Sequence, residues 1–236
     1  MPISNGYPCL VSFSGIDGAG KTTQIDAVLA WLRETGLRAC LMRFWDDVVA
    51  LGRIRESVSH TVFKSEKGVG SPERPVQRRD KNVRAWYMTA ARMLLYFMGA
   101  TRLAFVVAAA SRTEADVVIF DRYLYDELAN LDLGNPVVRV YARLLLKLIP
   151  RPDIAFLLDA DPAQAQARKP EYPLDFLRSN RASYRTLANL AGMTVIRPLA
   201  ANEVTDIVLR ELSMALLRSQ TENLPHSPVL PYPDHQ

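Results

Sequence analysis

The stretch Gly15-Ile16-Asp17-Gly18-Ala19-Gly20-Lys21-Thr22 fits the pattern G-x-x-x-x-G-K-[ST]. Glycines let successive backbone N–H groups turn toward one point as an anion nest, where a Cβ would crowd the guest. A lysine at this place reaches the β- and γ-phosphates of a nucleotide, and the adjacent hydroxyl holds magnesium. The expected cofactor-binding set is Gly15, Asp17, Gly18, Ala19, Gly20, Lys21, Thr22 and Thr23, with ATP and Mg2+ as the cofactors.

Outward from that stretch the pattern continues. Cys9 to Ser14 is a short apolar run that predicts a buried strand entering the turn. Ile25, Val28, Leu29 and Leu32 recur at helical spacing after it, and Gly36 supplies a stop. Further strands are expected at Arg38–Phe44, Val117–Phe120, Ile154–Leu158 and Thr194–Ile196. Helical patterns separate them at Val83–Arg112, Val137–Leu148 and Asn180–Ala191, and a last helix follows Asn202 as N-cap. Strands alternating with helices predict an α/β fold, a P-loop NTPase with a parallel sheet covered on both faces.

The chain has 236 residues, 49% hydrophobic and 23% charged, which suits one domain with a sizeable core. We assign residues 1–218 to a single P-loop domain and 219–236 to a disordered, proline-rich tail. The formal charge of +4 is mild and fits anionic small molecules, so a small-molecule acceptor is expected and nucleic acid is not. Residues 64–84 hold seven basic side chains against three acidic ones and read as a mobile basic loop, with Arg78, Arg79 or Arg84 able to offer a cation to the site. Cys9 and Cys40 lie in apolar stretches and read as reduced core residues of a cytoplasmic protein. The apolar region Trp86–Ala110 is interrupted by Arg92 and Arg102, so a buried or interface helix is expected, not a membrane span. A homodimer through the 83–112 helix follows from that expectation.

Asp121-Arg122-Tyr123 directly follows the VVIF strand. A carboxylate ending a strand beside the P-loop strand can share magnesium with Thr22, and a guanidinium after it suits bidentate phosphate contact. A salt bridge at a strand end would use the same three residues.

With these motifs in order, Phe13 to Gln24 resembles the P-loop of thymidylate kinases, including its internal aspartate and the Thr-Gln that follows. Asp121-Arg122-Tyr123 resembles their acceptor-phosphate motif, Ala91-Arg92 their acceptor-binding helix, and Leu158-Asp159-Ala160-Asp161-Pro162 with Arg168 the approach to their lid. The resemblance spans about Leu10 to Leu217. It implies a strand order of 2-3-1-4-5 and a lid at 168–184. It also implies Lys21, Arg122 and Arg168 as catalytic residues, Thr22 and Asp121 as metal ligands, and Asp17, Arg92, Arg122, Met88 and Asn130 around the acceptor.

Departures from the family pattern concentrate on the acceptor side. Phe44-Trp45-Asp46-Asp47-Val48-Val49 stands where the family has Glu-Pro-Gly-Gly-Thr. Met88 and Asn130 stand where two aromatic rings are expected, and Trp86 or Tyr87 is a substitute stacking ring. Asp126, followed by Glu127, replaces a serine, and the lid lacks its arginine-rich turn. These changes predict weak use of thymidylate. They leave open a kinase of a nucleoside or other hydroxyl compound, with Asp126 or Glu127 as base, and a non-catalytic ATP-binding regulator. A GTPase is disfavoured, because no Asn-Lys-x-Asp motif occurs.

Overall fold

The computed structural model describes residues 7–48 and 86–221, with side chains of the second stretch described over 89–218. The basic segment at 64–84, the side chains of Trp86, Tyr87 and Met88, and the tail from residue 222 lie outside the described residues. Ser219, Gln220 and Thr221, assigned above to the tail, instead finish the last helix.

Five strands form one parallel sheet in the order β2-β3-β1-β4-β5. They are β1 (Cys9–Ser14), β2 (Ala39–Arg43), β3 (Val117–Asp121), β4 (Ile154–Leu158) and β5 (Thr194–Ile196). Cys9 is in register with Val117 and Val11 with Ile154, so β1 sits between β3 and β4. All five run the same way, and their C-terminal ends share one edge, where open α/β sheets bind ligands.

Alternation along the strands feeds two cores. Val11, Phe13, Ile119 and Phe156 face α1 (Lys21–Glu34) and the last helix, α7 (Ala201–Thr221), through Ile25, Val28, Leu32, Val208 and Leu212. Leu10, Val118, Phe120 and Leu157 face α2 (Trp86–Ala110), α3 (Leu124–Leu128), α4 (Pro136–Leu148) and α6 (Leu174–Ala191). The short α5 (Pro162–Arg168) follows β4, and Asp161 caps it by accepting from the N–H groups of Ala163 and Gln164.

Three expectations shift. Helix α6 starts at Leu174 and not at Asn180, because Pro173 takes the cap position and Leu177 already faces the core. Only Lys169–Pro173 of the expected 168–184 lid is therefore non-helical between α5 and α6. Helix α7 starts before Asn202, since Glu203 accepts from the Ala200 N–H and so caps the turn from inside. Cys9 is buried, but Cys40 is only half-buried, on the edge strand β2. Both are free thiols.

In α2 the segment Thr89–Ala110 has a mean hydropathy of 1.7, long and apolar enough by composition to cross a membrane. Here one side of it, carrying Tyr96, Ala100, Leu103 and Val107, enters the core, while Leu94, Phe97, Met98 and Phe105 remain exposed. The five-residue π-helical turn Phe44–Val48 leads from β2 toward this helix. It buries Phe44 and Val48, and Arg102 donates to the Asp47 carbonyl.

Candidate active site

The P-loop leaves β1 at Gly15 and enters α1 at Lys21. A Cβ on Gly15 would meet the Leu158 carbonyl oxygen at 2.6 Å. At Gly18 a Cβ would run into the Ala165 carbonyl of α5, and φ there is +82°. Glycine is required at both places by the close approach of β4 and α5, as well as by the nest itself.

Lys21 is 7% exposed and donates to the Gly15 and Ile16 carbonyls at 2.8 and 3.0 Å. An ammonium has three N–H donors, so one is uncommitted among the described residues. Burial, with the Arg122 charge second, pushes the Lys21 pKa down to about 8. Around it Asp17, Asp126 and Asp121 pull the other way. Thr22 is exposed at the start of α1 and Asp121 is half-buried at the end of β3. Neither side chain makes a hydrogen bond or ion pair among the described residues.

Arg122 links the P-loop to the β3 motif. It pairs with Asp17 of the loop and with Asp126 at 3.2 Å, and its N–H donates to the Phe13 carbonyl. Its φ of +69° makes it the one non-glycine residue in the left-handed region among the described residues. Burial alone would raise the Asp17 pKa, but Arg122, Lys21 and, more weakly, Lys169 hold it below the usual carboxylate range. Arg168 is exposed on α5 and lies 3.3 Å from the Gly18 carbonyl, at the tip of the loop.

Asp126 is 2% exposed and fully engaged. Its Oδ2 accepts from Ser14 Oγ at 2.7 Å and from the Tyr123 N–H, and its Oδ1 accepts from Tyr184 at 2.7 Å and from Arg122. It therefore has no free lone pair for a general base, which corrects one role left open above. Glu127 is 1% exposed, with its Oε2 beside Gly99 of α2. Asn130 donates to the Asp126 carbonyl and so closes the end of α3. Arg92 is half-buried on α2, and no hydrogen bond or ion pair among the described residues joins it to this cluster. Thus Lys21, Asp17, Arg122, Asp121, Thr22 and Arg168 come together at one edge.

Four residues were missed. Arg181 and Arg185 of α6 both bind Asp159, with Arg181 donating twice, at 2.5 and 2.9 Å, next to the strand that abuts Gly15. Tyr184 binds Asp126, and Lys169 acts on Asp17 from the α5–α6 connection. The i, i+3, i+4 spacing of Arg181, Tyr184 and Arg185 was the available signal that one helix face carries polar contacts.

The residues at this edge suit a magnesium nucleotide. The ion needs only one or two carboxylates or hydroxyls when phosphate oxygens complete its shell. Thr22 and Asp121 are both uncommitted, and no cluster of three acidic, His or Cys ligands exists among the described residues.

No family model matches the chain. It is 27% identical to the thymidylate kinase of Chlorobium luteolum, over 68% of this chain and 66% of that one. It is 28% identical to a probable thymidylate kinase of Methanothermobacter thermautotrophicus, over 87% and 93%. A crystal structure of thymidylate kinase from Ehrlichia chaffeensis matches the fold, with TM-score 0.54, 21% identity, and coverage of 88% and 100%. Fold and site define a P-loop phosphotransferase of the nucleotide kinase type. Within that class the proteins it is similar to are thymidylate kinases, at 21–28% identity.

Proposed function

We propose that this chain transfers the γ-phosphoryl group of ATP, with Mg2+, to a nucleoside monophosphate in the cytoplasm, and that thymidylate is a weak acceptor. The observation that supports it most is the ion pair between Asp17 and Arg122, which brings the phosphate cradle and the β3 motif to one edge. Lys21 meets the phosphates of the donor with its spare N–H, and Arg168 approaches from the α5 side. Arg122, with Arg92 from α2, faces the phosphate of the acceptor. Thr22 and Asp121 hold the magnesium ion, which when bound neutralises charge on the phosphate oxygens. Little covalent help is needed in such a transfer, since positioning and charge neutralisation lower most of the barrier.

Two substitutions support weak thymidylate use. Met88 offers no aromatic face for the base, and the Asn130 amide already closes α3. Turnover of γ-labelled ATP with each common nucleoside monophosphate, nucleoside and sugar tests the proposal. Transfer confined to nucleosides or sugars overturns it. The exposed apolar side of α2 supports a homodimer. Light scattering should give twice the mass of one chain, and a monomer at micromolar concentration rejects the pairing.

A further inference from the structure

We infer that Asp126 and Tyr184 are positioning residues that fix the Arg122 guanidinium for the acceptor. This rests on the proposal that Arg122 holds the acceptor phosphate. A buried carboxylate is tolerated only when its lone pairs are filled. Here the four donors come from separate parts of the fold: Ser14 from the end of β1, the Tyr123 N–H from the start of α3, the Tyr184 hydroxyl from α6, and Arg122 from the end of β3. A carboxylate held at four points has one orientation, so its Oδ1 is a fixed stop for Nη1 of Arg122.

The guanidinium needs such a stop. The Arg122 backbone is in the left-handed region, which an L-residue leaves unless its surroundings hold it. Asp17 holds the other end of the fork, but Asp17 belongs to a loop that must also accommodate a nucleotide. Asp126 belongs to α3, is 2% exposed, and is held by donors from β1, the start of α3 and α6. Tyr184 reaches it from α6, the helix that follows the Lys169–Pro173 connection directly. Through one hydroxyl, the placement of that helix is read by the residue that meets the acceptor.

The test uses full-length protein and steady-state kinetics with dTMP and with the best acceptor from the monophosphate panel. Tyr184→Phe removes one donor and no volume beyond an oxygen. It should raise the acceptor KM or lower the acceptor kcat/KM about tenfold, with the ATP KM within about twofold of wild type. Asp126→Asn should do the same more strongly, about thirtyfold. Ser14→Ala stands in if Asp126→Asn does not fold. A purely structural role would move both substrates alike, and an equal loss for ATP and acceptor overturns the inference. Arg122→Ala separates the two levels. If it raises the acceptor KM while Tyr184→Phe behaves as wild type, positioning fails and the function stands. If Arg122→Ala leaves the acceptor KM unchanged, or no monophosphate is turned over, the proposed role of Arg122 fails and the inference fails with it.

Discussion

The ammonium of Lys21 and the carboxylate of Asp126 are both buried, 7% and 2% exposed, yet one has a spare donor and the other no spare lone pair. On the donor side Lys21, Thr22 and Asp121 all keep hydrogen-bonding or metal-binding capacity unused among the described residues. On the acceptor side Asp126 has its lone pairs filled and Asn130 closes its own helix, while Arg122 gives one N–H to Asp126 and one to Asp17 and keeps others among the described residues. A phosphate arriving at the first region completes it. One arriving at the second meets a guanidinium already fixed by two carboxylates, so that region selects among acceptors by how well they fit an arrangement set in advance.

The widest break between the two regions comes from Lys21→Ala. Removing the cradle's ammonium should lower turnover by about a thousandfold or more, with nucleotide affinity falling more than about tenfold. Calorimetry with Mg-ADP checks this, and unchanged affinity would show that the cradle works without its lysine. A smaller effect sharpens the acceptor side. Loss of base stacking at Met88 is worth about 1–3 kcal/mol, or roughly 5- to 150-fold in thymidylate affinity. We expect kcat/KM for dTMP below about 10⁵ M⁻¹s⁻¹. A value above that restores ordinary thymidylate use and assigns the stacking ring to Trp86 or Tyr87, each tested by alanine.

The smallest effect is a pH dependence. With its pKa depressed to about 8, Lys21 is largely neutral in the free protein above that value, whereas a bound phosphate favours the ammonium. Nucleotide binding should therefore take up a proton above about pH 8, and affinity should decline severalfold by about pH 9. The sign for folding is opposite. Between about 8 and 10.5 the unfolded lysine binds more protons than the folded one, so this residue's contribution to stability rises with pH. Calorimetry in buffers of different ionisation enthalpy detects the proton. Lys21→Arg should abolish it, and a slope that persists in that variant removes Lys21 as its source.

The fold was legible because its signals are local. A glycine turn with a strand before it and an amphipathic helix after it is written within 24 positions, Cys9 to Leu32, and the parallel sheet follows from repeating that pattern. The donor residues shared that advantage. The engagement of Asp126 was hidden because two of its four donors are distant in sequence: Ser14 lies 112 positions away and Tyr184 58. Arg181 and Arg185 were missed for the same reason, since Asp159 is 22 and 26 positions from them. Periodicity shows that such a face exists but not what it touches. The start of α6 was hidden because Pro173 reads as a break, although proline also fits the mouth of a helix.

The strand order also governs how the protein can be made. Among the described residues β1 pairs with β3 and β4, and the residues opposite Cys9 and Val11 are Val117 and Ile154. During synthesis at about 5–20 residues per second, the P-loop strand waits on the order of ten seconds for its first neighbour. Until then the apolar run Cys9–Phe13 has no sheet to join, and a chain stopped before β3 lacks the strands that shape the nucleotide cradle. Nucleotide can thus favour the finished domain by binding it, but it cannot template the nascent one.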